Sequence, residues 1–230
     1  MRSLMAALVV AGVGLLVLGY NTNHHAGKTP TTTPTSTTKV APPVAKGALK
    51  GLLLDPEQVN AVMGATDMTV TRTRNAMTDD SATMEPRECL AVDGTTQEQI
   101  YATSGFTAMQ DQTLQDGDKF THFAEQAVVL FPTAQQADAF FAAAAKEWPT
   151  CHKYTHTQSG TKWHTRPVSN EQGTLSTVAI QQDPISGGWA CGRALLVRNN
   201  VMVDVNTCTA DPADTAVVLA RQIGDKIPTQ

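Results

Sequence analysis

Apolar residues come first along this chain as one block, then as short periodic runs divided by polar stretches. The block runs from Leu4 to Gly19 (LMAALVVAGVGLLVLG) behind Arg2, the pattern of an export signal or a single membrane anchor at residues 1–20. As a helix its 16 residues would span about 24 Å, slightly short of a ~30 Å hydrocarbon core. Cleaved secretion and an uncleaved anchor therefore both stay open. Val17-Leu18-Gly19 looks like the end of a lipobox, but Tyr20 stands where a cysteine would carry the lipid, so lipidation is not expected. Residues 21–48 follow, with repeated Thr and Pro and a single aromatic-free tract. Such a segment buries too little surface to fold and reads as an extended linker. His24-His25 lies in it, and a vicinal pair there is a poor metal site.

From residue 49 onward the periodicities are those of a folded domain. Asp55-Pro56-Glu57 opens a helix with an N-cap, a proline at the first helical position and an acidic first turn. Val59, Val62 and Met63 give that helix an apolar side, and Gly64 ends it. Thr66–Thr73 reads as a strand, Gln99–Met109 as a weak one and Phe120–Phe131 as a strong one. Thr133 caps a helix whose Ala137, Phe140, Phe141 and Ala144 recur at helical spacing, and Pro149 stops it. Strands are predicted over 151–158, 161–168, 174–182, 188–198 and 200–208, with turns at Ser159-Gly160 and Asn199-Asn200. Ser186-Gly187-Gly188 reads as a further turn, and Asp211-Pro212 caps a last helix reaching about Ile223. This order implies an α+β fold, an antiparallel β-sheet with packed helices, a cleft and two disulfides.

Composition narrows the picture. With 17 basic and 21 acidic residues and a net charge of −4, no basic stripe is available to neutralise phosphates, so nucleic acid is not an expected partner. The four cysteines of a chain bound for an oxidising compartment read as disulfides. A two-residue turn at Asn199-Asn200 sets Cys191 opposite Cys208, because paired positions then sum to 399. Cys89 is left to pair with Cys151.

Several motifs together resemble a known family. LLLDPEQVNAVMG at 52–64, Glu88-Cys89-Leu90, Trp148-Pro149-Thr150-Cys151 and Trp189-Ala190-Cys191 are similar to the PknH-like extracellular domain. That domain is the sensor part of mycobacterial receptor Ser/Thr kinases and occurs in cell-envelope lipoproteins. The resemblance covers about 49–227 and makes 49–230 the domain. It implies the same cysteine pairing, first with second and third with fourth, and a ligand cleft beside the sheet.

His152 and His156 are four apart, but on a strand that separates them by about 13 Å, too far for one metal ion; no metal and no cofactor is expected. With Ser159-Gly160 as the turn, His156 would face Trp163 and His164 would point to the other side. Glu125 and Asp204 are carboxylates inside strands and a weak acid/base pair. Trp189 is expected to pack on its neighbouring disulfide. The ligand-binding candidates are Trp163, His156 and Arg166 as a stacking wall, with Arg193 set to meet an anionic group. No catalytic residue is expected. The expected function is a non-catalytic, extracytoplasmic sensor of the mycobacterial cell envelope, taking a small polar or cell-wall ligand or an envelope protein partner. It is secreted, or held to the membrane if the N-terminal segment is uncleaved. The alternatives are a secreted hydrolase of envelope polymers, which needs two carboxylates roughly 5–10 Å apart in a cleft, and a structural protein-interaction module.

Overall fold

The computed structural model describes residues 41–182 and 188–229. The N-terminal segment, the linker as far as residue 40 (with Tyr20 and His24-His25) and Ser186-Gly187 lie outside the described residues. Among the described residues no helix is long and apolar enough to cross a membrane.

In chain order the elements are α1 (Leu49–Leu52), α2 (Pro56–Met63), β1 (Thr69–Arg74), β2 (Met84–Glu85), α3 (Leu90–Asp93), α4 (Glu98–Tyr101), β3 (Ala108–Gln115) and β4 (Phe123–Leu130). They continue with α5 (Ala134–Glu147), β5 (Lys153–His156), β6 (Thr161–Thr165), β7 (Ser169–Glu171), β8 (Thr174–Gln181), β9 (Ala190–Arg198), β10 (Val201–Thr209) and α6 (Thr215–Asp225). The strands form one antiparallel sheet in the order β1-β3-β4-β10-β9-β8-β6-β5-β2, with β7 paired to β8. The expected α+β architecture is therefore present, as are both disulfides, Cys89–Cys151 and Cys191–Cys208.

Local rules explain much of this. The Asp55 side chain accepts from the Gln58 backbone N–H, Gln58 returns the bond, and Gly64 closes α2 at φ 69°. Thr133 caps α5 through the Gln136 N–H. At the β9–β10 turn the two asparagines tie in both ends of the domain. Asn200 bonds the backbone of Val44 and Phe131, and Asn199 reaches Pro42 and Pro228. Residues 42–48, assigned to the linker by composition, thus pack on the domain.

Alternation along the central strands divides the core. On one face Val201, Val203 and Val205 of β10 meet α6 through Leu219, Ala220 and Ile223, with α1 and α2 alongside. Here α6 approaches so closely that a Cβ on Gly224 would lie 2.9 Å from Leu196 Cδ2. On the other face Met202, Val129 and Leu195 lie in one cluster with α3, α5, Trp148, Trp163 and the four cysteines.

Three readings need correction. The segment predicted as a strand over 99–109 is helical at Glu98–Tyr101, and the strand begins only at Ala108. Tyr101 is buried with its hydroxyl on Asp204, and β3 was obscured because its inward residues Asp111 and Thr113 are polar. Asp211 does not cap α6, which starts at Thr215; the Asp211 carboxylate instead accepts from the Ala213 N–H. Tyr154, not His156, pairs with Trp163. The β5–β6 loop is four residues long because the Thr157 N–H turns to Thr83 and the Gly160 N–H closes back on His156.

Candidate functional site

The sheet face that carries α5 holds two hollows, separated by the ridge Gly94–Gln97, whose end residues line both. The ridge is held tightly. Gln97 bonds Thr78 and Asp80, the Thr96 N–H donates to Asp204 Oδ2 at 3.0 Å, and Thr96 adopts φ 47°. A β-branched residue in that region is strained by ~1–3 kcal/mol.

The first hollow, of about 380 Å³, lies under α5 and α4. Ile100, Phe140, Ala143 and Leu195 give it apolar walls, Gln97, Ser104, Gln136 and Glu147 are polar residues of its lining, and Arg193 and Asp204 lie at its buried floor. Both side chains are only 2% exposed, with Arg193 Nη1 2.8 Å from Asp204 Oδ1. The guanidinium also donates to the carbonyls of Val205, Ala91 and Gly94 and lies 5.2 Å from the Trp148 ring centre. Asp204 in turn accepts from Tyr101 at 3.0 Å. Burial, then the Asp204 charge, pushes the Tyr101 phenol well above its ordinary pKa.

The second hollow is an open groove of about 450 Å³. One flank comes from β1 and β4. Arg74 holds Asp111 through Nε at 3.1 Å and Nη2 at 3.2 Å, and the same Nη2 meets Glu125. Arg72 lies 3.7 Å from Glu125 and stays half exposed. Burial, reinforced by the Glu125 charge and opposed by Arg74, raises the Asp111 carboxyl to about 7. Across the groove, His156 Nε2 is 2.8 Å from Asp93 Oδ1, a bond that raises the imidazole pKa against the opposing effect of burial. Asn206 Nδ2 donates to the Asp93 carbonyl at 3.0 Å, and Cys191 and Cys208 also line the groove.

Aromatic rings complete it. Trp163 is buried and lies parallel to Tyr154 at 6.0 Å, with His156 5.8 Å away. Trp189 packs against the core cluster that contains its disulfide, and also edges Phe120 at 6.0 Å. Phe120 is presented by a loop that Asp116 organises, accepting from the backbone and side chains of Thr121 and His122. Burial works to raise the Asp116 carboxyl, but these hydrogen bonds prevail and bring it below the ordinary range.

Trp163 and His156, chosen from sequence, are thus brought together in the groove. Arg166 is exposed on a different hollow, beside Pro167 and Asp214. Arg193 belongs to the α5 hollow, and both of its terminal nitrogens are already engaged, with Asp204 and three backbone carbonyls. Glu125 and Asp204 share a face but do not converge, each being held by its own arginine. The sequence reading missed Arg72, Arg74, Asp93, Asp111, Asn206 and Phe120. A basic Thr/Arg alternation (TVTRTR) in β1 was the available signal for the first two.

Comparison with known proteins follows the same lines. A family model described as the PknH-like extracellular domain matches residues 44–226. The chain is 35% identical over 190 residues to the serine/threonine-protein kinase PknH of Mycobacterium bovis, covering 80% of this chain and 32% of that one. Its counterpart in Mycobacterium tuberculosis matches at 35% identity, covering 80% and 30%. This chain spans about a third of the length of these curated relatives. The crystal structure of the extracellular domain of PknH from Mycobacterium tuberculosis superposes with a TM-score of 0.76 at 34% identity, covering 80% of this chain and 97% of that one.

Proposed function

Because this chain belongs to the PknH-like extracellular domain family, we propose that it is a non-catalytic extracytoplasmic sensor domain. A small polar or cell-envelope ligand would enter the groove between β1 and β5. One observation carries the reading: the titratable groups of the groove are engaged with one another, while the Phe120, Phe123 and Trp189 rings keep exposed surface along it. Arg74 is bound to Asp111 and Glu125, and His156 to Asp93. Such a site can orient a ligand, but it holds its carboxylates in place rather than poised to move a proton. Asp111 does carry a raised pKa, a property that marks many catalytic acids. It is, however, fully buried beneath Arg74, and burial beside Glu125 accounts for the shift. The kinase activity named for the curated relatives belongs to those proteins.

The test is a thermal-shift screen of the full chain against cell-envelope fragments. The expected result is a reproducible rise in melting temperature that Phe120→Ala abolishes and Ala143→Phe, which fills the other hollow, leaves intact. Turnover of a fragment by the protein, lost in Glu125→Gln, would instead establish the hydrolase alternative.

A further inference from the structure

We infer that the groove takes a neutral saccharide; this rests on the sensor reading of the same groove and names its ligand class. Its lining combines two chemistries. Phe123, Phe120 and Trp189 form a continuous aromatic flank, with ring centres 6.2 and 6.0 Å apart. Phe120 is 38% exposed, and among the described residues Val70 is the only other large hydrophobic left so open. An aromatic ring held at a groove mouth by a hydrogen-bonded loop is a platform for the C–H face of a sugar ring. Arg72 and Glu125 beside it, and Asp93, His156 and Asn206, supply the polar part of the lining. These offer donors and acceptors side by side, as hydroxyl groups, which both donate and accept, require.

Charge decides against the other classes. Arg74 is matched by Asp111 and Glu125, and His156 by Asp93, so little net field remains to draw an anion or a cation. An aliphatic ligand would be better served by the hollow under α5, lined by Ile100, Phe140 and Ala143. A separate observation also points to a ligand. Trp163 is 6% exposed and lines the groove, yet its Nε1–H has no acceptor among the described residues. A buried donor without a partner is costly, and a ligand that shifts the Trp163 ring on binding would give it an acceptor. The groove's volume of about 450 Å³ falls within the ~300–1,000 Å³ of small-molecule sites.

The experiment titrates the full chain with neutral oligosaccharides of glucose, galactose, mannose and arabinose. Glucuronate, glucose 6-phosphate and decanoate serve as anionic and aliphatic probes. Calorimetry and tryptophan fluorescence at low and high salt supply the readout. The expected result is saturable binding of a neutral oligosaccharide, unchanged by salt and weakened about tenfold or more by Trp189→Leu and Phe120→Ala. Phe120 is exposed, so its variant remains informative if Trp189→Leu fails to fold. Binding of an anionic or aliphatic probe that the same variants abolish, with no neutral sugar bound, overturns the saccharide inference and leaves the groove as the site. Sugar binding that neither variant weakens overturns the inference as well. No binding by any probe overturns both readings.

Discussion

The two hollows on the α5 face are each built around an arginine and its carboxylates, yet they are different kinds of site. Under α5, Arg193 and Asp204 are sealed, and three neighbouring elements each contribute a bond: α3 through the Ala91 carbonyl, the ridge through Thr96, α4 through Tyr101. That pair is a structural bolt joining ridge, helix and sheet. In the groove, Arg74 is partly exposed and serves two carboxylates, one of which ionises only near neutrality. A charge pair that fixes a fold is enclosed on all sides. One that lines a binding surface keeps an open side and some freedom of protonation.

The sharpest way to break this comparison is Arg193→Met. It leaves Asp204 buried and unpaired, so denaturant unfolding should show a loss of about 3–5 kcal/mol, with Arg193→Met/Asp204→Leu recovering much of it. The disulfides come next. Replacing Cys89 and Cys151, separated by 62 residues, should cost about 4 kcal/mol on chain-entropy grounds. Replacing Cys191 and Cys208, separated by 17, should cost about 3 kcal/mol. Equal losses from the two would show that loop length does not govern them.

Arg74→Met should cost less than its counterpart, about 1–3 kcal/mol, because Asp111 can take up a proton when its partner is removed. A loss as large as that of Arg193→Met would erase the distinction between the hollows.

The pH dependence is smaller and has a definite sign. Asp111 is raised to about 7 from 3.8, so the folded state binds more protons between those values and stability falls as pH rises across that window. His156 is raised above 6.5, so its contribution is complete below 6.5 and is lost as pH rises through the folded value. Melting temperature should therefore decline from mildly acidic to mildly alkaline pH, and Asp111→Asn should flatten the profile. A profile that rises over this range contradicts both assignments. The smallest effect on stability is expected of Phe120→Ala, within about 0.5 kcal/mol, in contrast to its effect on binding.

Legibility in the sequence followed distance along the chain. The α2 cap, the α5 cap and the β9–β10 turn rest on residues within a few positions of one another, and each was readable. The turn placed Cys191 opposite Cys208, as the register has it. Errors arose where a distant contact overrode local pattern. Tyr101 turns into a helix toward Asp204, 103 positions away, and β3 hides its strand character behind buried Asp111 and Thr113. The β5–β6 register shifted because β2 captures the end of β5.

The sequence by itself determined the oxidised cysteine framework, the α+β order of elements and the family, because caps, turns and cysteine spacing are local codes. Only the tertiary structure decided where a ligand would sit. The groove gathers Arg74 from β1, Asp93 from α3, Glu125 from β4, His156 from β5 and Asn206 from β10. Their meeting depends on a strand order in which β10 and β9 lie between β4 and β8. Long-range pairing of that kind is written in the packing of the whole core, and no single stretch of the chain carries it.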